Sequence, residues 1–170
     1  MDLIIEQVNA VWLARFGERS FPCAIGRSDV ISAEEKHEGD GATPIGRWRM
    51  LRVLYRPDRV GTPETTLPCK AITREDGWCD APGDPHYNQQ IVIPYGASHE
   101  LLWRDDHLYD VIVVLDHNDS PAVPGRGSAI FLHIAKEGFS PTEGCVALAP
   151  PDLMSVLKEV DADGSVVVVG

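Results

Sequence analysis

No stretch of this sequence approaches the roughly 20 consecutive apolar residues of a membrane-spanning helix, so no membrane span is expected. The opening MDLIIEQVNAVWLARF lacks a basic leader, and Asp2, Glu6, Asn9 and Arg15 break up its apolar residues, so no signal peptide is expected either. Basic residues are scarce. Fifteen stand against twenty-six acidic ones, and a formal net charge of −11 has the wrong sign for a nucleic-acid binder or for a protein held on anionic lipid by charge. Cysteine is scarce too. Cys23, Cys69, Cys79 and Cys145 lie far apart without a CxxC or a close Cys/His repeat, which offers no local zinc site. Free thiols are expected rather than two disulfides, because cytosolic thiols stay reduced. The glycine-rich GDGATPIG, Gly39 to Gly46, has neither the Lys-Ser/Thr end of a P-loop nor a GxGxxG pattern, so phosphate binding is not expected there. There is no internal repeat, low-complexity tract or long linker, and 170 residues read as a single domain over residues 1–170 with one substantial core. The expected compartment is cytoplasmic for the chain as given, or periplasm and cell wall if it is exported by another route or trimmed.

What the sequence does contain is a series of short apolar runs between turn residues. Leu3 to Val8 and Val11 to Phe16 read as strands around an Asn9-Ala10 turn, and Gly17 to Ser20 turns the chain again before Phe21 to Ile25. Ser32 to Asp40 is charged and expected at the surface. Trp48 to Tyr55, Ile91 to Ile93, Tyr109 to Leu115, Ala129 to Ala135, Cys145 to Ala149 and Ser165 to Val169 complete the strand candidates, with Arg56 to Pro68 as a surface excursion. Asp76 to Asn88 reads as a turn-rich loop carrying Trp78 and Tyr87. Ala97 to Trp103 reads as a short helix with Ser98 as its N-cap. A clearer helix follows Pro150-Pro151, with Leu153, Val156, Leu157 and Val160 at helical spacing and Asp163-Gly164 after it. The sum is a mainly β sandwich or barrel with one or two short helices.

The most reactive pair of side chains lies in FLHIAKEGFSPTEGCVAL, Phe131 to Leu148. His133 sits inside one apolar run, and Cys145 opens the next directly after Gly144. A thiolate nucleophile needs a neighbouring imidazole to generate or stabilise it, and these two runs supply both groups if they pair as neighbouring strands. Gly144 allows the tight turn that aims the amides of Gly144 and Cys145 at a developing oxyanion. His117 ends a buried strand, and Arg126 has the planar fork that receives a carboxylate. Trp78 and Tyr87 are candidates for a pocket wall or lid. Each of these also has an ordinary structural reading, as a hydrogen-bonded core residue or a solvated surface one.

His133 followed by Thr142-x-Gly144-Cys145 resembles the His…[Ser/Thr]-x-Gly-Cys signature of the YkuD-type L,D-transpeptidase catalytic domain. Thr43 to Gly46, TPIG, resembles that domain's upstream Thr-Pro-x-Gly. The fuller set of EGDGATPIG, DGWCD, YN, SHELLWRDDHLYD, PGRGSAIFLH and PTEGCVAL resembles a smaller branch of the family and runs across most of the chain. The resemblance implies a mainly β fold and acyl transfer on peptidoglycan stem peptides or muropeptides, without metal or organic cofactor. Cys145 would form a thioester, His133 would serve as its base, and the Gly144 and Cys145 amides would hold the oxyanion. Three departures stand out: Glu143 where histidine is common, Ala147 where arginine or asparagine is common, and Ile134 where the residue after the base is usually small. Glu143 would then orient His133 or a substrate ammonium, with Thr142, His117, Arg126, Trp78 and Tyr87 as candidate substrate contacts. An L,D-carboxypeptidase trimming muropeptides is the alternative enzyme. The non-enzymatic alternative is a wall-binding module, and a metal hydrolase built on His99, His107, His117 and Asp116 is a remote fourth. The oligomeric state is open.

Overall fold

The computed structural model describes all 170 residues. Strand accounts for 37% of them and helix for 8%, so the mainly β expectation holds. The strands run β1 (Leu3–Val8), β2 (Val11–Phe16), β3 (Arg19–Ala24), β4 (Val30–Ile31), β5 (Thr43–Pro44), β6 (Gly46–Tyr55), β7 (Cys69–Ala71), β8 (Asp76–Cys79), β9 (Gln90–Val92), β10 (His99–Leu101), β11 (Val111–Leu115), β12 (Phe131–Ile134) and β13 (Val146–Leu148). Helix α1 (Pro150–Glu159) and strand β14 (Ser165–Val168) follow.

The main sheet has the order β11-β12-β13-β3-β2-β1-β14-β6-β7, and β6 pairs with β11 as well, which closes eight of these strands into a ring. The long β6 makes this closure possible: Gly46 to Arg49 pair with β14, and Met50 to Tyr55 pair with β11. Closing the sheet on itself removes most of its edges. The β1–β2 hairpin turns on Asn9 and Ala10, whose φ values of 50° and 64° are those of a turn matched to strand twist.

Residues alternate between two cores. Leu132, Ile134, Val146 and Leu148 face the main cluster with Leu3, Ile5, Phe16 and Met50, where α1 also inserts Leu153, Val156 and Leu157. Pro150 starts that helix where its missing N–H costs nothing. The other face carries Phe131, Ile112, Val114 and Cys145, packed with Trp78, Leu102 and Tyr109 in a second cluster beside the three-stranded sheet β10-β8-β9.

Three sequence expectations are corrected here. Ala97 to Trp103 is not a helix. It forms β10, with Glu100 opposite Trp78 on β8, because a single short turn of helix cannot compete with an available strand edge. Asp76 to Cys79 is not a loop but the fully buried strand β8. In the segment Ser32 to Asp40, taken as exposed, the Lys36 side chain is only 3% exposed and forms an ion pair with the equally buried Asp40. Lys36→Met strands the Asp40 carboxylate and is expected to cost about 3–5 kcal/mol, measured as the loss of unfolding free energy in urea.

Candidate active site

Strands β12 and β13 run parallel, with Leu132 opposite Val146, His133 opposite Ala147 and Ile134 opposite Leu148. Side chains alternate along a strand, so His133 and Ala147 share one face, and Cys145, two residues before Ala147, projects from that same face. Hydrogen bonds fix the sulfur there. Cys145 Sγ–H donates to the Ala129 carbonyl at 3.1 Å and accepts from the Phe131 N–H at 3.4 Å. Both groups are nearly covered, His133 at 4% and Cys145 at 7% exposure, and both line one cavity of about 410 Å³. All four cysteines are free.

The imidazole has a defined tautomer. His133 Nδ1 lies 2.9 Å from the Ile134 carbonyl, which can only accept, so Nδ1 carries the proton and Nε2 keeps its lone pair. The Tyr109 ring meets the imidazole edge-on with centroids 5.4 Å apart. Burial pushes the His133 pKa down to about 4, against the Ile134 hydrogen bond. Burial also pushes the Cys145 thiol up to about 12, opposed by the Phe131 N–H and reinforced by the Glu100 charge. Thiol and imidazole therefore both rest neutral at pH 7.

The turn before Cys145 is built around Gly144, at φ +129°. A Cβ there would stand 2.8 Å from the Ala42 carbonyl oxygen, so the TPIG-containing segment closes directly on this glycine. Thr142 Oγ1 accepts from the Gly144 N–H at 3.1 Å and donates to the Cys145 carbonyl at 2.7 Å. The Cys145 N–H donates to no acceptor within the protein. Of the two amides expected to face an oxyanion, Gly144's is thus engaged by Thr142 and Cys145's is free. Gly144→Ala is expected to destabilise the fold by about 1–3 kcal/mol. The check is the thermal midpoint, which falls by roughly 2–4 °C per kcal/mol in a domain of this size.

The remaining sequence candidates divide by position. Thr142 and Glu143 line the cavity. Glu143 does not orient His133: its side chain is 79% exposed and pairs with Arg27 at 2.9 Å, because the turn carries it outward. His117, Arg126, Trp78 and Tyr87 do not line the cavity. His117 is buried against Trp48, with centroids 4.7 Å apart, and its Nε2 is 3.1 Å from the Arg126 carbonyl. Arg126 is exposed and reaches the Glu34 carbonyl. Trp78 lies in the second core, donating to Asn88 Oδ1 at 2.9 Å and meeting Phe131 edge-on. Tyr87 is buried and donates its hydroxyl to Glu38, so it acts on the cavity one residue removed. The histidines named for a metal hydrolase do not converge, and no three His, Cys, Asp or Glu side chains are grouped as a metal site needs.

Sequence reasoning left unassigned the cavity residues Lys36, Glu38, Asp80, Glu100, Arg104, Tyr109, Ser128 and Lys136. Six of them carry a signal in the motif pieces: Glu38 opens EGDGATPIG, Asp80 ends DGWCD, Glu100, Arg104 and Tyr109 stand in SHELLWRDDHLYD, and Ser128 stands in PGRGSAIFLH, while Lys36 and Lys136 stand in none.

A closed mainly β sheet with a buried thiol and imidazole lining one cavity is the architecture expected of an L,D-transpeptidase-type catalytic domain. Residues 7–169 match the family model of the YkuD L,D-transpeptidase catalytic domain, and the chain belongs to that family. Among solved structures it is similar to the crystal structure of Mycobacterium tuberculosis L,D-transpeptidase 1 at 1.89 Å, with 16% identity and a TM-score of 0.39. That likeness covers 99% of this chain and 60% of the other, so the chain spans about three fifths of that neighbour's length. No curated protein matches the sequence. No helix is long and apolar enough to cross a membrane.

Proposed function

We propose that this domain is a cysteine acyltransferase acting on peptidoglycan stem peptides, with Cys145 as nucleophile and His133 as base. The observation that carries this reading is the placement of both groups on one face of two adjacent parallel strands, in one cavity. As Sγ attacks the peptide carbonyl carbon, the thiol proton passes to His133 Nε2, and the oxyanion takes a hydrogen bond from the free Cys145 N–H. Collapse of the tetrahedral intermediate breaks the C–N bond, the departing amine takes the proton back from Nε2, and a thioester remains on Cys145. An incoming amine then attacks the thioester, loses a proton to the imidazole and receives the acyl group, which regenerates the thiol. The neutral resting pair makes His133 a general base during attack rather than the partner of a preformed ion pair. Thr142 holds the turn in register, and Gly144 supplies its backbone path.

Incubation with a tetrapeptide muropeptide and mass analysis of the products is the test. Cross-linked dimers support amine transfer, and tripeptide alone assigns the L,D-carboxypeptidase alternative, with water in the acceptor's place. If no D-amino acid is released and no adduct forms on Cys145, the acyl-transfer reading fails and a wall-binding module takes its place.

A further inference from the structure

Two arginines that do not line the cavity hold one of its walls. The wall is the loop from Arg104 to Asp110, which brings Arg104, Leu108 and Tyr109 to the cavity. This loop has little backbone pairing of its own: the carbonyls of Arg104, Asp105 and Asp106 receive no backbone N–H. Guanidinium groups reach them instead, from the excursion that leaves β6. Arg56 Nη1 donates to the Arg104 carbonyl at 2.6 Å, and Arg59 donates to the Asp105 carbonyl at 2.9 Å and to the Asp106 carbonyl. Arg59 Nη1 also donates to Asp110 Oδ1 at 2.8 Å, where the carboxylate is only 8% exposed. Arg56 directs its other donors to Asp58 in its own turn, whereas every side-chain partner of Arg59 lies on the loop.

The other side of the loop meets the imidazole. The Leu108 carbonyl accepts from the Ile134 N–H at 3.2 Å, which fixes the peptide joining His133 to Ile134. The Ile134 carbonyl then sets the tautomer of His133, and the Tyr109 ring, next to Leu108 in the chain, stands edge-on to the imidazole. Burial is the largest influence on the ring. The charges nearest it, Arg104 and Asp106, act in opposite senses and are themselves paired at 2.6 Å. Glu100 on β10, Lys136 after β12 and Cys145 before β13 are the titratable groups that the surrounding elements add to the same cavity.

We propose that Arg59 is a positioning residue for His133: its guanidinium holds the Asp105 to Asp110 loop against β12, and the loop keeps the imidazole covered and its Nδ1 on the Ile134 carbonyl. A planar fork suits this task, because it serves several oxygens at once in a fixed geometry that an ammonium on a flexible stem does not reproduce. That His133 is the base of the reaction rests on the acyl-transfer reading; that Arg59 holds it rests on the hydrogen bonds through the loop.

The test follows the ¹⁵N signals of the His133 imidazole by NMR across the acid range, on the full chain without substrate. The wild-type ring is expected to keep its Nδ1–H form down to about pH 4. Arg59→Met removes three hydrogen bonds from the loop and admits water to the ring, so the midpoint is expected to rise by about one pH unit or more toward the ordinary 6.5. Arg19→Met removes an ion pair with Glu159 on α1 and is expected to leave the midpoint in place. Acylation of Cys145 by a stem peptide at pH 7 is expected to slow about tenfold in Arg59→Met, with its acid limb displaced as far as the NMR midpoint. An unchanged midpoint in Arg59→Met overturns the proposal, and so does an equal shift in Arg19→Met, which marks a general loosening of the fold. Should Arg59→Met not fold, Arg59→Lys decides in its place: a rise of about half a unit supports the proposal and an unmoved midpoint overturns it. If the midpoints move as stated but a tetrapeptide never acylates wild-type Cys145, the acyl-transfer reading falls and the hold of Arg59 on His133 stands.

Discussion

Cys145→Ala is expected to slow release of the terminal D-amino acid from a tetrapeptide muropeptide by about 10⁴-fold or more and to abolish the acyl adduct seen on the intact wild-type protein by mass spectrometry. No other cysteine can substitute. Cys23 and Cys69 belong with the main core on the opposite side of the sheet, and Cys79, fully buried in β8, does not line the cavity. The variant also separates loss of chemistry from loss of fold. Alanine fits the space of a sulfur that makes only two weak hydrogen bonds, so a thermal midpoint within a few degrees of wild type is expected. A persisting adduct, or turnover near the wild-type rate, removes Cys145 as the nucleophile.

The second large effect concerns His133 and depends on pH. At pH 7, His133→Ala is expected to slow acylation by about 10²–10⁴-fold, the usual contribution of a positioned base. Wild-type acylation needs a neutral imidazole and a protonated thiol. It therefore rises with pH through about 4, where His133 loses its proton, and then stays level well into the alkaline range, since the thiol titrates only near 12. The variant has no acceptor for the thiol proton and must wait for the free thiolate, so its rate climbs about tenfold per pH unit and the gap to wild type closes as pH rises. Single-turnover acylation by a carbapenem or a stem peptide, measured across pH, checks both limbs. A bell centred near neutrality in the wild type indicates a preformed ion pair instead.

The same two pKa shifts bear on stability, with opposite signs along the pH axis. The folded His133 pKa lies below its ordinary 6.5, so the unfolded chain takes the proton first and stability falls as pH drops from about 6.5 toward about 4. The folded Cys145 pKa lies above its ordinary 9.0, so the unfolded thiol ionises first and stability falls as pH climbs from about 9 toward about 12. Cys145→Ala is expected to lessen the alkaline fall and leave the acid side unchanged in urea unfolding curves, the buried Cys23 thiol, also pushed up to about 12, keeping its own share of that fall.

Much of this site is written locally. Two apolar runs flank a loop, one bears an imidazole and the other a thiol after glycine, and runs of this kind read as strands from their own residues. The terminal hairpin and α1 are equally local, set by turn residues and a proline start. The cavity's acidic wall is not. Glu100 faces it only because β10 takes the edge of β8, and a segment read as helix gives no reason to expect that pairing. Trp78 is decided in the same way: an indole in a glycine-rich stretch reads equally as a lid residue or as a core plug, and β8, buried between its two neighbours, places it in the core. The partner that the outward Glu143 meets, Arg27, stands over a hundred residues away, and no periodicity encodes such a meeting.

Strand β1 lies between β2, its neighbour in sequence, and β14, where Leu3 stands opposite Val166. The ring therefore cannot close until β14 has been made. During synthesis β1 and β6 must wait with one edge each unfilled, their apolar residues Leu3, Ile5 and Met50 short of packing partners. Pairings this distant in sequence form slowly, and an open apolar edge is a template for other chains. A chain stopped at Gly164 is accordingly expected to aggregate rather than to yield a weakened domain, although every residue of the cavity precedes that point.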